Sequence, residues 1–140
     1  MLELRPGNDV FVANRSIDRA QRLVDSISTP EEKAGELRAI GWDEARQLTW
    51  IDALVNATPL GMHGEDALDG FAFDPLPAII ADLVPVAAET PLVRRAREAQ
   101  HVRVMDGLLM LLHQATRSFE LWTGLPAPLE AMRAALPRPV

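Results

Sequence analysis

Cysteine is absent from the 140 residues, so the chain has no disulfide frame and no thiolate metal site. Tyrosine is absent too, and lysine occurs once, as Lys33. No apolar run approaches the ~18 residues that a membrane-spanning helix requires. The opening stretch, MLELRPGNDV, lacks the basic segment and long apolar core of a secretory signal. Positive charge is in deficit: 14 Lys and Arg stand against 20 Asp and Glu, a formal net charge of −6. That balance disfavours a general nucleic-acid binder, which needs a basic face, but leaves room for a local basic pocket around one phosphate. His63, His101 and His113 are too scattered for metal ligation, and no metal site is expected. The composition is 48% hydrophobic and 24% charged, that of a globular chain, expected in the cytoplasm. The length suits one domain, residues 1–140.

The apolar pattern alternates between short runs and helical periods. Val10–Ala13 reads as a strand, and Ile17, Ala20, Leu23 and Val24 recur behind it at helical spacing, with Ser16 placed to cap. A cap at Ser28 or Thr29 with Pro30 after it opens a polar segment that holds Lys33. LRAIGW reads as a strand and DEARQL as a short helix. Ala53–Ala57 and Ala78–Val84 are apolar strands. Thr90 caps a helix with Pro91 just inside it. HVRVMD is a last strand, and a long helix from Gly107 is closed by Gly124. Prolines flank one short helical pattern in the tail. Apolar strands alternating with helices predict an α/β fold, a Rossmann-like parallel sheet with helices on both faces. Ligands of such sheets sit beyond the carboxyl ends of the strands. That singles out residues 14–19, 58–62, 83–85 and 106–110.

The first of those places carries an anomaly. Nucleotide-binding folds often put an acid there to hold the ribose of NAD. Here the strand ends in Asn14-Arg15-Ser16, with Arg19 four residues on and no acid at the turn.

Four motifs in order, NRSIDRA, VNATPLGM, DLVPVAAETPL and MDGLLMLLHQATRSFELWTG, resemble the C-terminal, NADP-binding half of shikimate dehydrogenases. The resemblance runs from Val10 to about Leu136. It implies NADP as cofactor and an oxidoreductase that interconverts 3-dehydroshikimate and shikimate. It also gives the arginines a purpose. NADP carries a phosphate on its adenosine ribose, which an Asp would repel and an Arg binds through paired, charge-assisted hydrogen bonds. Asn14, Arg15, Ser16 and Arg19 are thus the expected phosphate clamp, assisted by the free N–H groups of the helix start. Solvated helix-surface arginines and a plain serine cap are the alternative. The resemblance assigns Thr58, Pro59 and Leu60 to the ribose and pyrophosphate side, Leu83, Gly107 and Met110 to the nicotinamide, and Gln114 to a substrate hydroxyl. Leu108, Leu111, Leu112, Ala115, Phe119 and Trp122 form a separate apolar stripe on the last helix, expected to be core.

Two departures from the family follow. Its tyrosine after Asp-x-Val is Pro85 here, which opens quinate or a related ring acid as an alternative substrate. The family's substrate domain, with its catalytic lysine and aspartate, its first Rossmann strand and its glycine-rich loop are not found in these residues. No catalytic residue is therefore assigned, and Lys33 does not sit in the family's motif. Glu65 and Asp66, after the PLGM turn, are expected to face solvent, with the substrate cleft as the alternative. The sequence reads as a fragment or a late-starting gene product, and its role is open: the cofactor half of an enzyme, an inactive cofactor-binding remnant, or a structural partner that completes a separately encoded N-terminal half. In each case the sheet is expected to be incomplete, with two unpaired strand edges where the first strand would lie. The expected partners are a small ring acid and that half, not a nucleic acid or a membrane.

Overall fold

The computed structural model describes residues 9–27, 37–100 and 102–137. The chain divides into two compact units, one built from residues up to Thr49 with Gly70–Ala72, the other from Trp50–Asp69 and the residues from Phe73 onward.

The first unit holds β1 (Val10–Asn14), α1 (Ile17–Ile27), β2 (Leu37–Gly41) and α2 (Trp42–Arg46). β1 and β2 run parallel, with Val10 opposite Leu37 and Asn14 opposite Gly41. The helical stripe of α1 buries Ala20 and Val24, which join Ile40 and Ala45 in a small core. Its other two members, Ile17 and Leu23, are about half exposed. The expected stripe is therefore only half used, because α1 meets a sheet of two strands. Trp42 meets the ring of Phe71 edge-on, with centroids 5.6 Å apart and planes at 89°.

The second unit holds β3 (Ala53–Asn56), β4 (Ile79–Asp82), α3 (Pro91–Glu98), β5 (Arg103–Met105), α4 (Gly107–Thr123) and α5 (Leu129–Ala134). The three strands are parallel in the order β3-β4-β5. α3 packs on β4 and β5. Leu92, Val93 and Ala96 from α3, Ile80 from β4 and Leu112 of α4 are each buried. Burying the leucine, valine and isoleucine side chains among them contributes roughly 1.5–3 kcal/mol each. Register places Val55, Ile79 and Met105 on the opposite face of this sheet from Ile80, and all three are exposed, Val55 by 61%.

The α/β class and the parallel strands agree with the sequence pattern. The strands stand as two sheets, and among the described residues β1 pairs with β2 alone and β3 with β4 alone. The apolar stripe of α4 is not the core that its spacing predicts. Leu112 is buried and Leu108 and Phe119 are half-buried, but Leu111 and Ala115 are exposed and Trp122 is 85% exposed. A helical stripe becomes core only where a second surface meets it. The outer part of α4 is met by α5, which is six residues long and buries none of its own. The polar segment with Ser28, Thr29, Pro30 and Lys33 lies outside the described residues, as does His101. No helix among the described residues is long and apolar enough to cross a membrane.

Candidate functional site

In the first unit the site forms where β1 turns into α1. Asn14 ends the strand and its Oδ1 accepts the Ser16 N–H at 2.9 Å, which folds the turn back on itself. The Ser16 carbonyl takes the N–H groups of Arg19 at 3.0 Å and Ala20 at 3.3 Å, so Ser16 stands at the N-cap position of α1. Arg15 and Arg19 are both exposed. Among the described residues neither guanidinium meets a carboxylate. The donor set is therefore two guanidinium forks, without a described acidic partner, beside a helix start whose first N–H groups lack intrahelical partners. Its chemistry suits a phosphate dianion and lacks the carboxylate that would accept from a ribose diol.

In the second unit the carboxyl ends of β3 and β4 are joined by one buried polar network. Asn56, the last residue of β3, accepts from Thr58 twice through Oδ1, from the backbone N–H at 3.1 Å and the hydroxyl at 2.7 Å. Its Nδ2 donates to the Leu60 carbonyl at 3.0 Å and to Asp82 Oδ1 at 2.9 Å. The Leu60 N–H in turn donates to Thr58 Oγ1 at 3.1 Å. Asp82, ending β4 and fully buried, also accepts from the Val84 N–H at 3.2 Å and from the Thr90 hydroxyl at 2.5 Å. Thr90 Oγ1 caps α3 by accepting the Val93 N–H. The 57–61 loop is thus shaped by its own side chains before any ligand arrives.

That loop continues through Gly61, whose φ of +107° suits glycine and whose missing Cβ leaves room for Thr90. Glu65 Oε2 accepts from the N–H groups of Gly61 and His63. Its own backbone N–H, then those of His63 and Gly61, hold the exposed carboxyl below the ordinary glutamate range. Asp66 is likewise occupied with local structure, accepting the Leu68 N–H and lying 3.7 Å from Arg95.

Beyond β5, Asp106 caps α4 by accepting the Leu109 N–H at 2.9 Å, and Arg97 bonds both Asp106 and Glu89. Gly107 is buried at the first position of α4. A Cβ on it would lie 2.2 Å from the Val84 carbonyl oxygen and 2.8 Å from Pro85 N. The Val84–Pro85 backbone therefore sits directly against the helix start. Leu83 and Met110 are half-buried, while Pro59 and Gln114 are exposed.

Thr58, Pro59, Leu60, Leu83, Gly107 and Met110 thus all lie at or next to the strand ends of this unit. Gln114 is two turns along α4 from Gly107. The sequence pattern alone missed the parts played by Asp82 and Asp106. The readable signals were an acid ending an otherwise apolar strand and an acid directly before a long helix. Among the described residues no cluster of His, Asp and Glu is arranged to hold a metal ion.

Comparison with known proteins gives this geometry a lineage. The profile of the Shikimate 5'-dehydrogenase C-terminal domain matches residues 107–136. A shikimate dehydrogenase (NADP(+)) of Nitrobacter winogradskyi is 44% identical over 128 residues, covering 89% of this chain and 43% of its own length. The chain spans less than half the length of the curated relatives it matches. Shikimate 5-dehydrogenase of Thermus thermophilus, solved with NADP(H) and shikimate, superposes with a TM-score of 0.65 at 31% identity, covering 93% of this chain and 46% of that one. Quinate dehydrogenase of Corynebacterium glutamicum, solved with NAD, gives a TM-score of 0.73 at 31% identity over 89% of this chain and 44% of that one. The chain belongs to the shikimate dehydrogenase family, of which it corresponds to the C-terminal part.

Proposed function

We propose that the chain is the NADP-binding part of a dehydrogenase that interconverts 3-dehydroshikimate and shikimate. The observation that carries this reading is the end of β1, where Arg15 and Arg19 are exposed, unpaired with any described carboxylate, and set where an NAD-binding fold would place an acid. Both units belong, in this reading, to one cofactor-binding domain. Asn14, Arg15, Ser16 and Arg19 hold the phosphate on the adenosine ribose. Thr58, Pro59 and Leu60 lie along the ribose and pyrophosphate side. Leu83, Gly107 and Met110 shape the nicotinamide end, and Gln114 hydrogen-bonds a substrate hydroxyl through an amide that both donates and accepts. When bound, NADPH supplies the hydride that reduces the ring ketone. These residues orient and bind; none is assigned the proton transfer.

The proton-handling groups and the pyrophosphate loop belong, in this reading, to a front half that works with this chain in the cytoplasm. The edges of β1 and β3 that lack a described strand partner support such completion. Pro85, in place of the family's tyrosine, favours quinate or a related ring acid as the alternative substrate. The test joins the chain in frame behind the front half of the Nitrobacter winogradskyi relative and compares NADP with NAD by titration. Arg15→Ala should weaken NADP by about 5–30-fold, the loss of ~1–2 kcal/mol from an exposed charge-assisted contact. NAD binding should hardly change. Equal loss for both cofactors would remove the phosphate-clamp assignment.

A further inference from the structure

We infer that Asp82 is a positioning residue, a buried carboxylate that fixes the loops proposed to line the pyrophosphate side and the nicotinamide end without touching cofactor or substrate itself. The inference rests on the cofactor reading above and adds to it the group on which those loops depend. Asp82 is 0% exposed, so no ligand reaches it. Its three donors are all neutral: Asn56 Nδ2, the Val84 N–H and the Thr90 hydroxyl. A buried carboxylate is costly to keep and is tolerated where its oxygens are well supplied with donors. An ionised Asp accepts on both oxygens and donates on neither. That is what three converging donors demand. Asparagine would turn an NH2 group toward one of them.

Each donor belongs to a different segment. Asn56 carries the 57–61 loop through its bonds to Thr58 and Leu60. Val84 carries the turn whose carbonyl lies against Gly107. Thr90 starts α3 and flanks Gly61. One carboxylate therefore sets the mutual placement of Thr58–Leu60, Leu83–Pro85 and, through Val84, the start of α4. Loss of a hydrogen bond to a charged group is large enough to shift a local opening equilibrium about tenfold or more.

The test uses Asp82→Asn, Thr90→Val and, as the conservative rescue, Thr90→Ser. Hydrogen exchange in the full 140-residue chain should speed up about tenfold at the Thr58, Leu60 and Val84 amides in the first two variants. Ile79 and Arg103, whose amides bond at the other end of the sheet, should keep their rates. Thr90→Ser retains the hydroxyl and should behave as wild type. In the chain joined to the relative's front half, NADP affinity should fall about tenfold. Adenosine 2′-monophosphate, which has the clamped phosphate but neither the pyrophosphate nor the nicotinamide, should bind unchanged. Uniform acceleration across β3–β5, or equal weakening of both ligands, would make Asp82 a plain stability residue and overturn the inference. So would unchanged exchange at the three loop amides. If the wild-type joined protein binds neither ligand, the cofactor reading fails, and the exchange data decide by themselves whether Asp82 holds the loops.

Discussion

Gly107→Ala is the most sharply quantified perturbation in this fold. The added methyl carbon would lie 2.2 Å from the Val84 oxygen, 2.4 Å from the Val84 carbonyl carbon and 2.8 Å from Pro85 N. Real Cβ atoms essentially never approach another heavy atom closer than 3.0 Å. All three atoms are backbone, so no side chain can swing away. The Val84–Pro85 turn must retreat, and the Val84 N–H then pulls on Asp82. Overpacking of this severity costs ~1–3 kcal/mol, with the upper half of that range expected here. Alanine recovers some helix propensity, less than ~1 kcal/mol at a first-turn position. The net of about 2 kcal/mol corresponds to a Tm lowered by ~6–10 °C for a domain of this size. Thermal melting followed by far-ultraviolet circular dichroism measures it. The control is Gly41→Ala, where nothing lies within 4 Å and φ is −73°; its Tm should stay within about 2 °C. A Gly107→Ala melt no lower than the control's would refute the argument that the turn and the helix start are locked together.

Three further outcomes are expected. Gln114→Ala in the joined protein should impair binding or turnover of the ring acid while leaving NADP affinity nearly intact, and unchanged steady-state constants would return Gln114 to the helix surface. The 140 residues alone should show no NADP-linked oxidation of shikimate or quinate when reduced-cofactor absorbance is followed, because they contain no assigned proton acceptor and no glycine-rich loop; turnover above a buffer blank would contradict this. The 61–65 loop should respond to acid through Glu65, whose depressed folded-state value makes its bonds to Gly61 and His63 stabilising above the ordinary glutamate range and lost as pH falls through that depressed value; amide exchange at Gly61 and His63 should follow this course, and Glu65→Gln should abolish the dependence.

Local chemistry made much of this fold legible in the sequence. Thr90 followed by Pro91 marks the start of α3, and Gly124, with φ +69°, closes α4 in the left-handed conformation that its position predicts. The strands at Val10, Leu37, Ala53, Ile79 and Arg103 follow from short apolar runs bounded by turns. What could not be read is what each apolar face meets. Leu23 on α1 and Leu111 and Trp122 on α4 satisfy helical periodicity as well as any core residue, yet all are exposed. Periodicity reports which side of a helix is apolar; a second surface decides whether that side is buried. The polar network was hidden for a related reason. Asn56 and Asp82 are 26 positions apart in sequence, and only strand register brings their side chains together.

The edge-on contact between Trp42 and Phe71 has a consequence for spectroscopy. With no tyrosine in the chain, ultraviolet emission belongs to the tryptophans. Trp50 and Trp122 are 67% and 85% exposed and are expected to emit in the red already, as solvated indoles do. Trp42 is the half-buried indole, packed on Phe71. A red shift on heating is therefore the melting signal of the first unit, from an indole released by its aromatic neighbour. The second unit, whose Trp50 and Trp122 are already exposed, should unfold with little change in fluorescence and show itself in ellipticity through α3 and α4. Two optical curves from one sample then separate the stability of the unit that carries Arg15 and Arg19 from that of the unit organised around Asp82.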